Sequence, residues 1–320
     1  MSTTPQDPRI IKSTEAMTVE HPVFLIFGEP GICKSSLAYS AKDPLLLDAD
    51  RGAHRAANRR DTWPIACWSD VTALMEQPDI LAPYATIVPD TIGRILDFMT
   101  QDIVETDPKK APGGNLSQQG WGVLKSRFQQ WMGRVRGLGK DMLLTAHHKE
   151  ERDGDLRIMR PDIQGGSLSE VLKSADFIGY IYMSGKDRMI DFNPTDRWVG
   201  KNPAGWKPKR IPSVDKAGSF MAELMAEGRE ALGKVSQASA ALAQQLDQWR
   251  AQIDTFQTAH EFNRAIPDIA NVTLTLRPQV EKLFGDRARA LKLGWDKAGK
   301  QFLPPAAETK SEYDFAGRAR

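Results

Sequence analysis

The stretch VFLIFGEPGICKSSL, residues 23–37, constrains this chain more than any other. Five apolar residues in a row suit a strand buried on both faces. They lead without pause into two glycines, a lysine and two serines, and then into residues of good helical propensity, SSLAYSAK. A buried strand that turns sharply into a helix, with small residues at the turn, places backbone N–H groups where they can converge on an anion. The spacing follows G-x-x-x-x-G-K-[ST], the pattern of a loop that cradles polyphosphate, except that Cys33 stands where the last glycine is expected. If that position needs positive φ, the thiol's Cβ costs on the order of 1 kcal/mol relative to glycine. If it needs only space, the small side chain fits. Neither case removes the other contacts.

Gly28, Glu29, Pro30, Gly31, Ile32, Cys33, Lys34, Ser35 and Ser36 are therefore the expected nucleotide-binding residues, with ATP and Mg²⁺ as the ligands. Lys34 is placed to reach the β- and γ-phosphates, and the Ser35 hydroxyl to hold Mg²⁺. A thiol at this turn beside a lysine is also a candidate reactive group, which bound nucleotide would protect.

Three further apolar runs end in polar residues. PLLLDAD (44–50) closes on Asp48 and Asp50, YATIVPD (84–90) on Asp90, and DMLLTAHH (141–148) on two histidines. Asp90 is the expected Mg²⁺-side acid. Pro89 before it lacks a ladder N–H and marks a place where the strand leaves the sheet. Asp50 is the candidate group to activate water, with Asp48 the alternative or a turn residue. His147 is the candidate contact to the γ-phosphate. Helical spacing runs through 115–139, and FIGYIYM and RMIDFN flank SGKD as a hairpin. Strands alternating with helices predict an α/β core with a mainly parallel central sheet, extended by an antiparallel hairpin.

The expected organisation is an N-terminal arm at 1–21, a core at 22–218, a mostly helical C-terminal region at 219–303 and a disordered tail at 304–320. LGWDKAGKQFL reads as a small β-turn-β closure anchored by Trp295 and Phe302. With 43 basic and 41 acidic side chains, no global charge points to nucleic acid, so such a partner needs a local patch. No apolar segment approaches a membrane span. Two cysteines, Cys33 and Cys67, make no disulfide framework, and a reducing cytoplasm is the expected location.

Taken in order, GEPGICKSSLA, LLLDAD, TIVPD, LLTAHHKEERDGD, LKSADFIGYIY and RWVGKNPAGWKPKRI resemble the RecA-like ATPases over residues 20–215. More closely, they resemble phage-encoded ATP-binding proteins that consist of a RecA core and act in single-strand annealing. The resemblance implies a RecA-like P-loop NTPase core. It puts Asp50, one methylene shorter, in the place of a water-activating glutamate. It makes His147 a γ-phosphate sensor and 149–168 a DNA-binding loop, with Lys149, Arg152, Arg157 and Arg160 on the backbone. Lys201, in GKN, becomes a finger reaching a neighbouring subunit's nucleotide, although Pro203 stands where a second lysine belongs.

Independently of the resemblance, 197–210 combines Arg197, Lys201, Lys207, Lys209 and Arg210 with Trp198 and Trp206, the mixture that single-stranded nucleic acid favours. The expected function is an ATP-hydrolysing DNA recombination protein acting on single-stranded DNA, assembled as a ring or filament with ATP between subunits. In phage-encoded form it would work in the host cytoplasm. The alternatives are a nucleotide-dependent switch or loader for a protein partner, and a module that holds ATP but barely turns it over. The C-terminal helices read equally as an oligomerisation element, a lid or a docking surface for a single-strand-binding protein.

Overall fold

The computed structural model describes residues 7, 10–154, 156–164, 166–213 and 216–305, with only the backbone of Asp153. Parts of the expected arm (1–6, 8 and 9) and of the expected tail (306–320) lie outside the described residues.

In chain order the elements are β1 (Val23–Gly28), α1 (Lys34–Ala38), β2 (Pro44–Asp48), β3 (Thr62–Pro64), α2 (Trp68–Met75), α3 (Pro78–Leu81), β4 (Thr86–Asp90), α4 (Ile92–Thr106) and α5 (Gln118–Gly137). Then come β5 (Asp141–Asp153), β6 (Leu156–Pro161), α6 (Ser167–Ser174), β7 (Phe177–Ser184), β8 (Asp187–Asp191) and β9 (Lys209–Arg210). The C-terminal part adds α7 (Phe220–Thr255), α8 (Ala259–Ala270), α9 (Arg277–Ala290), β10 (Gly294–Asp296) and β11 (Gln301–Leu303).

The main sheet has the order β3-β2-β4-β5-β1-β7-β8-β9, with β6 paired to β5. Strands β1 to β5 and β7 pair in parallel through the centre, while β8 and β9 add antiparallel strands at one edge. This is the α/β class expected from the sequence, with the hairpin at SGKD in place. Strand β1 is fully buried because its alternate residues serve two cores. Val23, Leu25 and Phe27 face one with helices α2, α4, α5 and α6, and Phe24 and Ile26 face the other with α1 and the start of α7. The helix α7 approaches closely at Gly228, where an added Cβ would lie 2.6 Å from the Phe24 ring.

Four differences from the sequence reading have physical reasons. The strand expected at 141–148 continues to Asp153 and returns through β6, so the expected loop at 149–168 is largely an antiparallel ribbon followed by α6. Its first strand carries an unbroken run of charged residues from Lys149 to Asp153, which shows no two-residue apolar period and so resembles a loop in sequence. Strand β3, only Thr62–Pro64, is too short to stand out in sequence. Pro89 does not take β4 out of the sheet: pairing with β2 runs to Asp48↔Asp90. On the other side, pairing with β5 ends at Ile87↔Met142, and the Thr145 hydroxyl donates to the Pro89 carbonyl at 3.2 Å.

Finally, the chain forms two compact units, Thr18–Val235 and a second built from the described parts of Met1–Met17 and Ser236–Arg320. The division falls inside α7, not at the composition change near 218, since a continuous helix carries no boundary signal. In the second unit Phe256, Phe262, Phe284 and Phe302 form an aromatic core, and Trp295 packs on Phe302 at 4.8 Å as the expected closure. A capping box joins Thr258 and Glu261 at the start of α8. Among the described residues no helix is long and apolar enough to cross a membrane.

Candidate nucleotide site

Parallel pairing brings four strand ends to one edge of the sheet. Register sets Gly28 beside His147 and Asp48 beside Asp90. Gly28 is required there: a Cβ would come within 2.6 Å of the Ile181 carbonyl on β7. Gly31 at φ 80° and Cys33 at φ 67° turn the chain back on itself. The Cys33 position does need the left-handed conformation, so the thiol there costs the order of 1 kcal/mol anticipated for a residue with Cβ. Its Sγ lies 3.7 Å from the Gly31 carbonyl.

Lys34 is buried under this loop and donates to the carbonyls of Gly28 (3.1 Å) and Glu29 (2.8 Å), with His147 Nδ1 at 3.3 Å. Burial lowers its pKa to about 8, against the opposing charges of Asp90 and Asp50. Ser35 Oγ donates to Asp90 Oδ2 at 2.6 Å, and Thr145 donates to the other Asp90 oxygen. Burial raises the Asp90 carboxyl above the usual range, although Ser35 and Thr145 stabilise its charged form.

Asp50 lies half-buried on the opposite wall. Burial pushes its carboxyl up, but the hydrogen bond and charge of His147 (Nε2 to Oδ2, 3.1 Å), with Thr91 and Arg94, leave it below the ordinary value. Asp48 is the turn residue instead, accepting from the backbone N–H of Gly52 (2.8 Å) and Ala53 (3.1 Å). A cavity of about 440 Å³ lies between these groups, lined also by Cys33, Ser36, Arg55, Thr91 and Arg94.

Lys34, Ser35, Asp50, Asp90 and His147 are thus brought together. Lys201 is not: its Nζ donates to the Ala175 carbonyl at 2.6 Å, and its backbone bridges Ile178, toward the other end of the strands. The expected nucleic-acid residues divide. Lys149 and Arg160 pair with Glu151 (3.0 and 3.3 Å), and Arg157 pairs with Glu150 (3.5 Å). Lys209 pairs with Glu227 (2.6 Å) and lies 5.2 Å above the Trp206 ring, and Arg210 pairs with Asp187 (2.7 Å). Trp206 is not the open stacking platform expected, because its ring lies on Phe177 at 4.9 Å and against Phe192. Trp198 stacks on Tyr182 and lies tilted against Tyr180. Arg152, Arg197 and Lys207 are exposed.

Sequence reasoning missed Arg94, 3.9 Å from Asp50 and 3.6 Å from Asp97, because nothing marks one helical arginine among many. It also missed Thr145, for which a signal existed: a hydroxyl inside a buried apolar strand needs a partner. Among the described residues, no cluster of three or more His, Cys, Asp or Glu could hold a metal alone. The Ser35 hydroxyl and Asp90 carboxylate are hard oxygen donors and suit Mg²⁺, which commonly completes its shell with phosphate oxygens and water.

A strand, a lysine-bearing loop and a helix, with a carboxylate on the next strand but one in the sheet, define a P-loop ATPase domain. Family comparison agrees: residues 20–204, more than half of the chain, match the AAA domain, and the protein belongs to that family. No curated protein matches the sequence. Among solved structures, a KaiC-like protein from the hyperthermophilic archaeon Pyrococcus horikoshii OT3 is similar over 55% of this chain and 86% of its own, at 9% identity and a TM-score of 0.31.

Proposed function

We propose that this protein binds and hydrolyses ATP at the edge formed by β1, β2, β4 and β5, and that it acts on single-stranded DNA in annealing or strand pairing as a DNA recombination protein. The observation that carries the ATP half is the convergence of Lys34, Ser35, Asp50, Asp90 and His147 on one cavity. Lys34 supplies positive charge to the terminal phosphates when it exchanges its loop carbonyls for phosphate oxygens. Ser35 and Asp90 would hold Mg²⁺, which when bound neutralises phosphate charge. Asp50, kept ionised by His147, orients the attacking water and accepts its proton. Its short side chain goes with slow turnover.

The DNA half is supported by continuity: His147 touches Lys34 and Asp50, and the same strand runs on through Lys149 and Arg152 into the ribbon with β6. Lys201, remote from its own P-loop, serves a neighbouring copy in a homo-oligomer with ATP between subunits. The test is ATP turnover and particle size, measured with and without single-stranded DNA. DNA-stimulated turnover is expected, and a protein that ignores millimolar ATP-Mg²⁺ would end the reading. One observation favours the switch or loader as a second reading: Lys149, Arg157 and Arg160 already pair with their own acids. Turnover stimulated by a protein partner and indifferent to DNA would select it.

A further inference from the structure

We propose that the cleft between β6, β7 and residues 196–198 receives a single unstacked nucleobase of single-stranded DNA, and that the Tyr180–His148 hydrogen bond reports its occupancy to the nucleotide site. The inference rests on the single-stranded DNA reading above and names the subsite that reading lacks.

The cleft has a volume of about 520 Å³, within the range of small-molecule sites. Its wall is aromatic. Trp198 lies 5.2 Å from both Tyr180 and Tyr182 at interplanar angles of 31° and 28°, and the two tyrosines are 6.1 Å apart and nearly parallel. The Trp198 indole N–H donates to the Asn193 carbonyl, which fixes the ring. Tyr180 is itself buried at 7% exposure, so the rings open to a ligand are those of Tyr182 and Trp198, both half-buried. Here the cleft stays open, and Leu156 at its mouth is 51% exposed. Flat walls of this kind take planar ligands by stacking, and every base offers a π-face.

The rim selects a nucleic acid over another planar group. Arg157 and Arg197 stand at the mouth beside the aromatic wall, and Arg197 forms no ion pair among the described residues. Arg197, and Arg157 once it exchanges Glu150 (3.5 Å) for phosphate, match phosphates flanking a stacked base. Asp196 at the same rim supplies an acceptor for a base amino group. A base inside a duplex cannot enter such a slot, so the occupant is single-stranded.

The link to the nucleotide is short. The Tyr180 hydroxyl and His148 Nδ1 are 3.0 Å apart, and the two rings stack at 6.0 Å. His148 is the next residue after His147, which touches both Lys34 and Asp50. Tyr180 therefore has its ring on the cleft wall and its hydroxyl on the strand that carries the γ-phosphate contact.

The experiment compares an oligo(dT) strand, the same strand with one 2-aminopurine, and an abasic tract of equal length and charge. The expected results are quenching of 2-aminopurine on binding to the wild-type protein, and abasic affinity lower by roughly five- to 100-fold, the span of a stacked base. Tyr182→Ala and Trp198→Ala should bind the dT strand as weakly as the abasic tract. Tyr180→Phe keeps the ring and, with it, the quenching, but should lower the DNA-dependent rise in ATP turnover. This isosteric variant and the wild-type quenching experiment do not depend on the alanine variants folding. Binding of dT with unchanged 2-aminopurine emission and equal abasic affinity would overturn the base site while leaving the DNA reading intact. DNA stimulation unaltered in Tyr180→Phe would overturn the coupling. If the wild-type protein binds none of the three strands, the parent reading fails and this subsite with it.

Discussion

From Met142 to His147, strand β5 pairs with β1, and at Asp141 and Met142 with β4 as well; from His148 to Asp153 it pairs with β6 instead. In the first half polar side chains are few, and the one fully buried, Thr145, serves Asp90 and the Pro89 carbonyl. In the second half they are many and half-buried or exposed, and several satisfy one another along and across the ribbon. The lesson is that burial makes polar chemistry specific. A group removed from water must have a partner, whereas an exposed charge finds one wherever an opposite charge is near.

The largest expected effect tests the buried half. Lys34→Ala removes the cation between the loop carbonyls and His147, and ATP turnover should fall by at least about 100-fold, as for loss of a preorganised charge-stabilising group. A variant that still hydrolyses ATP normally would dissolve the contrast, since the buried cluster would then be mere packing. Asp50→Asn keeps shape but loses the proton acceptor. Single-turnover rates should drop by about 100-fold or more while nucleotide affinity, read by titration, stays near wild type.

The pH dependence sharpens the same half. With its pKa lowered to about 8, free Lys34 sheds its proton as pH rises through that value. A bound triphosphate favours the charged form, so binding takes up a proton above pH 8. ATP affinity should hold below pH 8 and weaken by about tenfold between pH 7 and 9. Lys34→Arg, always charged, should flatten the profile. A wild-type protein with a level profile would contradict the assigned role.

The exposed half predicts a gain. Glu150→Gln with Glu151→Gln frees Lys149, Arg157 and Arg160, and affinity for single-stranded DNA should rise several-fold with a steeper salt dependence. No change would mean that the ribbon does not face DNA. The smallest effect concerns the turn before both halves. Cys33→Gly relieves the left-handed strain and should stabilise folding by about 1 kcal/mol in a denaturation series, less whatever the glycine gives back in chain entropy. Alkylation of Cys33 in the wild-type protein should slow in the presence of ATP-Mg²⁺.

The strand ends were legible in sequence because each apolar run stops at a polar residue, and parallel register did the rest. The P-loop could be named because its spacing follows from the strand-to-helix turn, and the acids at 50 and 90 because they stand where apolar runs stop. Thr145 was legible in principle. Arg94 was not, since its place depends on how α4 leaves β4. The ribbon resembles a loop in sequence because the consecutive charges of 149–153 carry no hydrophobic period. Trp206 and Trp198 look alike in sequence; only the fold lays one on Phe177 and the other beside an open cleft.

The absence of a side chain at Gly28 has one more consequence. Because the Ile181 carbonyl fills the place of a Cβ, the entrance to the phosphate loop and the tyrosine-bearing strand are in backbone contact with nothing soft between them. A rearrangement that carries Gly28 toward β7 on gaining or losing a phosphate therefore meets backbone, which cannot give way as a side chain would.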